Sequence, residues 1–271
     1  MTLIKIEWRN GIKSLILWSA AVMVILGLFM AVFPTMQSSG MKDIVNTKLD
    51  AMPSELLKMF NLQGGTSLLE VTGYFAYVFQ YLFLAAGIYA VLLGATALVK
   101  EETDGTIDFL YAQPLSRRDI VFYKQLANTL LLALFWLLTW LFSFGIIYVF
   151  KEKGSNWSTI FSQINRVFLN EGLVLLLLLA IGFCFSPILK SSKQTTGVAL
   201  GFVFGTYILG VLSEINSKVE WLKDVSPLHY AVPSTTLNEN MKGIHLLICV
   251  IGIIAFSGLS YFFYEKKDFK G

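Results

Sequence analysis

Six long apolar stretches set the rhythm of the chain, at 15–34, 73–99, 125–150, 171–189, 195–213 and 243–264. Short polar segments separate them. A helix needs about 20 predominantly apolar residues to cross a hydrocarbon core roughly 30 Å thick, and each stretch meets or nearly meets that length. In lipid every backbone N–H and C=O must be satisfied within its own segment, so the stretches are expected to be helices. The pattern predicts an all-α integral membrane protein with six spans and a single transmembrane domain over residues 1–271.

Composition sharpens this. Hydrophobic residues make up 55% of the chain, charged residues 14%, and the mean hydropathy is +0.65. Soluble domains carry about 25% charge, so little here could form a separate soluble domain. The net charge of +3 gives no footprint for nucleic acid. Placement of the basic residues is more telling. With the N-terminus inside, twelve of the 21 lysines and arginines fall in the short inner segments. The positive-inside bias then puts both termini in the cytoplasm. Lys5, Arg9 and Lys13 precede an apolar run with no small-residue cleavage pattern, which reads as a retained first span. Cys184 and Cys249 both fall in apolar stretches and read as core residues.

Several segments carry their own signals. Residues 2–13, TLIKIEWRNGIK, are amphipathic at helical spacing and predict a short helix along the inner membrane surface. In the first outer loop, Pro53-Ser54-Glu55-Leu56-Leu57-Lys58 opens a second interfacial helix that Gly64-Gly65 would stop. The second span is dense in aromatics. Its Tyr77, Gln80 and Tyr81 are the candidate lining of a partly wet path. On the fifth span Gly197, Gly201 and Gly205 recur four apart, so another helix, from this chain or a second copy, could approach closely. The polar, aromatic segment between spans five and six is expected to dip into the outer leaflet.

Absences narrow the function. Glu171 and Glu214 are placed at span ends, so no span carries an ionisable group near its middle, which weighs against an ion-coupled carrier. His229 and His245 lie in or beside an outer segment, away from where an intramembrane protease or haem would need them. No G-x-x-x-x-G-K-[ST] loop occurs, so the chain does not bind ATP by that device and is not expected to be an enzyme.

The inner loop between spans two and three reads KEETDGTIDFLYAQPLSRRDIVFYK. Asp104 can cap a short helix, 105–112, before Pro114 breaks the chain. Ser116 and Asp119 then form a capping-box pattern that starts the third span. This loop resembles the signature of the membrane subunits of bacterial ABC exporters of the second export class, the type V fold. The matching positions are Glu101, Glu102, Gly105, Thr106, Asp108, Leu110, Pro114, Ser116 and Arg117, with Lys124 following. Asp104 and Phe109 lie within the same run. The outer Pro53–Lys58 segment and Ser226-Pro227-Leu228-His229-Tyr230 resemble family segments too, although Leu228 stands where an aromatic is common. The likeness spans the whole chain.

The resemblance implies that the loop is a coupling helix docking on a cytosolic ATPase, in an assembly of two permease and two ATPase chains. ATP and Mg would sit in the partner ATPase, with no cofactor in this chain. The partners implied are that ATPase, a second permease chain and membrane lipids, in a bacterial cell membrane. Among substrates, amphipathic peptides or hydrophobic compounds suit an apolar, tyrosine-lined path better than sodium. Sodium, glycan or lipid export, and a non-transporting sensor or scaffold, are the alternatives.

Overall fold

A computed structural model describes residues 2–53, 56–57, 67–106, 115–152 and 154–267. The described residues form an all-helical bundle without strands. In chain order the helices are α1 (Thr2–Met36), α2 (Ser39–Asp50), α3 (Val71–Ala97), α4 (Lys100–Thr103), α5 (Arg117–Phe150), α6 (Trp157–Phe185), α7 (Thr195–Ile215), α8 (Pro233–Thr236) and α9 (Gly243–Lys266). Six of them, α1, α3, α5, α6, α7 and α9, are long and apolar enough to cross a membrane. The bundle has two ends. Both ends of the described chain lie at one of them, the terminal end.

α3 is the hub. It packs against α1, α5, α6 and α7 and also against α8. Most of its aromatic stripe is core: Phe75, Phe79, Phe83 and Tyr89 are buried. Phe79, Trp136 and Phe168 join their rings across α3, α5 and α6. The backbones of α3 and α6 approach closely where they cross. A Cβ on Gly94 would sit 2.3 Å from the Leu179 carbonyl oxygen, and one on Gly182 would sit 2.5 Å from that of Val91. Only glycine fits either position.

Three expectations need correction. Residues 2–13 are no separate interface helix but the first turns of α1, an unbroken 35-residue helix. At 1.5 Å per residue it runs about 52 Å, well beyond a membrane core. Leu131 of α5 packs over Gly11, whose Cβ would meet Leu131 Cδ1 at 2.3 Å. Glu7 turns inward, so the polar face of this segment is partly a buried contact. The second correction is α6, which starts at Trp157, not at 171, with the Asn156 side chain capping it by accepting from Ser158 N–H at 3.1 Å. Its first turns mix Ile160, Ile164, Val167 and Phe168 with Ser, Gln, Asn and Arg, a period-3.6 pattern that an unbroken apolar run does not capture. Glu171 therefore lies midway along a long helix rather than at a span end. Third, α2 was not anticipated. The helix expected after Pro53 lies largely outside the described residues.

The segment joining α7 to α9 does enter the bundle. It makes 3-10 turns at Ser217–Val225 and Pro227–Ala231 and then α8. Pro227, Leu228, Tyr230 and Ala231 are buried. Leu228 Cδ2 comes within 3.4 Å of the Cβ position of Gly87 on α3.

Candidate coupling site

The loop leaving α3 is anchored before it reaches its signature. At the last turn of α3 the buried Ser186 hydroxyl accepts the N–H of Leu98 at 2.8 Å and of Val99 at 3.2 Å, and donates to Ala95 O at 2.7 Å. Backbone groups freed at a helix end are costly when buried, and one serine from the α6 terminus resolves them. α4 follows at once. Gly105, with φ +66°, lets Thr106 N–H return to Glu101 O at 2.9 Å, a left-handed C-terminal closure. Asp104 therefore ends α4, donating its N–H to Lys100 O at 2.8 Å, instead of capping a helix that begins at 105. A residue at φ +66° cannot be the first turn of such a helix. Residues 107–114, which include Asp108, Phe109, Leu110 and Pro114, lie outside the described residues.

Three side chains of α4, Glu101, Glu102 and Thr103, each hold a different element. Glu101 pairs with Lys124 of α5, whose ammonium also donates to Glu7 Oε1 of α1 at 2.7 Å and to Ala97 O at 2.7 Å. Lys124 is fully buried, and its three protons have three acceptors. Glu102 pairs with Lys267 just beyond α9, which also donates to Leu189 O at 3.2 Å. Thr103 accepts from Ser192 N–H, between α6 and α7, at 2.9 Å. α4 is thus tied to α1, α5, the α6–α7 connection and the end of α9. Burial pushes the Glu101 carboxyl above the ordinary glutamate range, against the downward pull of Lys124.

Across the undescribed stretch, Ser116 and Asp119 complete the expected capping box. The Ser116 hydroxyl accepts from Asp119 N–H at 3.1 Å, and Asp119 Oδ2 accepts from Ser116 N–H at 3.0 Å. Arg117 donates to Glu265 O at 2.9 Å and Lys267 O at 3.1 Å, while Arg118 pairs with Glu265. Both arms of the loop therefore close on the last turn of α9. Sequence reasoning placed Glu101, Glu102, Thr106, Ser116, Arg117 and Lys124 here. It missed Glu7, Ser186, Ser192 and the role of Lys267. Glu7 had a usable signal: it is the acid of an amphipathic segment beside a lysine-bearing span. Ser186 had none.

The other sequence candidates lie elsewhere. Tyr77 and Tyr81 meet edge to face at 5.8 Å on the less covered side of α3. Gln80, between them, lines a small cavity of about 40 Å³ with Phe83, Tyr207 and Leu228. A Cβ on Gly197, Gly201 or Gly205 would meet nothing within 4 Å, so among the described residues no helix of the same chain covers that face.

A family model described as ABC-2 family transporter protein matches residues 1–269. No curated protein matches the chain.

Proposed function

The chain belongs to the ABC-2 transporter family, whose members are the membrane subunits of ABC transporters working with a partner ATPase, and we propose that it is an exporter permease of the type V class. The observation that carries the finer reading is the fastening of the 100–117 loop. Glu101, Glu102, Thr103, Arg117 and Arg118 tie its two arms to α5, to the α6–α7 connection and to the end of α9, and Lys124 carries the tie on to Glu7 of α1. A connection that only joined α3 to α5 would need no such bracing. A loop that takes a load from below and passes it to the spans would.

On this reading the terminal end of the bundle faces the cytosol of a bacterial cell. The ATPase grips the loop around Leu110, and ATP and Mg are handled wholly by that partner. A second permease copy meets the bare Gly197, Gly201 and Gly205 face, and the path runs between the copies past Tyr77, Gln80 and Tyr81. Hydroxyl and amide groups among apolar neighbours suit amphipathic peptides or hydrophobic compounds.

The test is coexpression with a partner ABC ATPase, then substrate-stimulated ATP hydrolysis and export in vesicles. Leu110→Asp should leave the spans folded and abolish stimulation; full stimulation and export in that variant would overturn the docking role. ATP-dependent sodium movement with no peptide effect on hydrolysis would overturn the peptide reading.

A further inference from the structure

The bundle buries one acid that the coupling site does not use. Glu171, midway along α6, is 0% exposed, and neither carboxyl oxygen has a hydrogen-bond partner among the described residues. Most buried polar side chains are bonded, and an ionisable group inside a membrane bundle is by default functional. Leaving an ionised carboxylate there without a donor or counter-charge would carry a large desolvation cost.

The surroundings offer that carboxyl no counter-charge. On α6 itself, Arg166 spends its guanidinium on Leu237 O at 3.2 Å and on Asn238 O. On α9, His245 pairs with Asp224 and Cys249 is buried. On the turn at Pro227–Ala231, His229 pairs with Glu214, and the Tyr230 hydroxyl donates to Asp224 O. The titratable groups of α3 are all tyrosines, α8 offers only hydroxyls, and the charges of α5 all fall in its first eight residues. Among the described residues nothing hydrogen-bonds Glu171, and no cluster of three or more His, Cys, Asp or Glu side chains could hold a metal cation, which needs several ligands. A proton needs none.

We propose that Glu171 is a proton-binding site inside the bundle, loaded in the conformation described here and exchanging with the end opposite the termini. The route follows from its neighbour on the same turn. Asn170 Oδ1 accepts from Met241 N–H at 3.2 Å, and Met241 lines a polar cavity of about 280 Å³ with Tyr230, Ser234, Thr236 and His245. That contact, together with the Arg166 bonds to Leu237 O and Asn238 O, joins α6 to the wall of the cavity. When it opens, water reaches the carboxyl, the O–H bond breaks with its electron pair staying on oxygen, and the proton passes to the cavity. The site stands on the geometry of this chain alone, whatever substrate it carries.

Infrared spectroscopy of the full chain in detergent at pH 8 tests this. A protonated-acid carbonyl band should be present, be lost in Glu171→Gln, persist in Glu101→Gln, and shift in Glu171→Asp should the glutamine variant fail to fold. Absence of a band assignable to residue 171 overturns the proposal. In D₂O the band moves as the acid proton exchanges. Asn170→Ala, which removes one hydrogen bond from the wall, should speed that exchange about tenfold. A band that exchanges at the parent rate in that variant overturns the route.

Discussion

Lys124→Met asks most directly whether the ionic node holds the bundle together. Methionine keeps the aliphatic bulk of the lysine stem and removes only the charge and its three donated bonds. Two carboxylates remain, Glu7 and Glu101, whose side chains are 10% and 16% exposed, together with the Ala97 carbonyl. Removing one partner of a buried ion pair costs about 3–5 kcal/mol, because the other charge stays behind without compensation. Slight exposure of both acids lets water help, which favours the lower end, about 3 kcal/mol, or roughly a hundredfold in the unfolding equilibrium. Denaturant unfolding in detergent, followed by tryptophan fluorescence, would measure it. The triple variant Glu7→Gln, Lys124→Met, Glu101→Gln removes all the charge and should recover most of the loss, because neutral replacement of a buried ionic group is often tolerated. Coupling should not recover, since α4 would no longer be tied to α1 and α5. A single variant within about 1 kcal/mol of the parent, or a triple variant no more stable than the single one, would refute the reasoning.

Two further outcomes follow from the same geometry. Because Glu101 titrates above the ordinary glutamate range, the native state holds more protons than the unfolded chain in the window between about 4.5 and the value in the fold, and its contribution to stability falls as pH rises through that window. The stability difference between parent and Glu101→Gln should therefore decline as pH climbs from about 4.5; a flat or rising difference would contradict it. Gly201→Leu should leave unfolding of the lone chain unchanged while cutting crosslinking between copies, whereas Gly94→Leu, aimed at a backbone 2.3 Å away, should prevent folding. Parent-level crosslinking in Gly201→Leu would mean that this face meets only lipid.

The number of spans was legible because hydrocarbon length and backbone satisfaction leave the chain almost no choice. Their limits were legible only where an apolar run coincides with the helix. At α7 the expected 195–213 and the observed Thr195–Ile215 agree closely. At α6 they do not, because half of its first turns are polar and face away from the core, so the helix reads as a loop to any argument based on continuous hydrophobicity. That misplacement also misplaced Glu171. Local chemistry was read well where the code is local. The Ser116–Asp119 box needs only two residues three apart, and it formed. Asp104 was read as a start because aspartate caps helices, but Gly105 in the left-handed region makes it a stop, and α4 before it was too short to announce itself.

The coupling node was half legible for a related reason. Glu101, Glu102 and Lys124 belong to one stretch of sequence, whereas their distant partners come from residues 7 and 267. Pairings across such distances leave no periodicity to find. They also explain what the node can do mechanically. A loop fixed only to α3 and α5 would bend those two helices when pushed. Held to Glu7 on α1, Ser192 before α7 and Lys267 after α9, it passes a push to the terminal ends of several spans at once. The tight Gly94–Gly182 crossing keeps α3 and α6 from sliding past each other, because neither backbone has room to shift. On the proposed coupling role, a displacement of α4 would tilt α3 and α6 together, with its largest amplitude at the far end of the bundle. There the segment from Pro227 to Thr236 is inserted among α3, α6 and α7, and it is the part of the wall that such a tilt would part first.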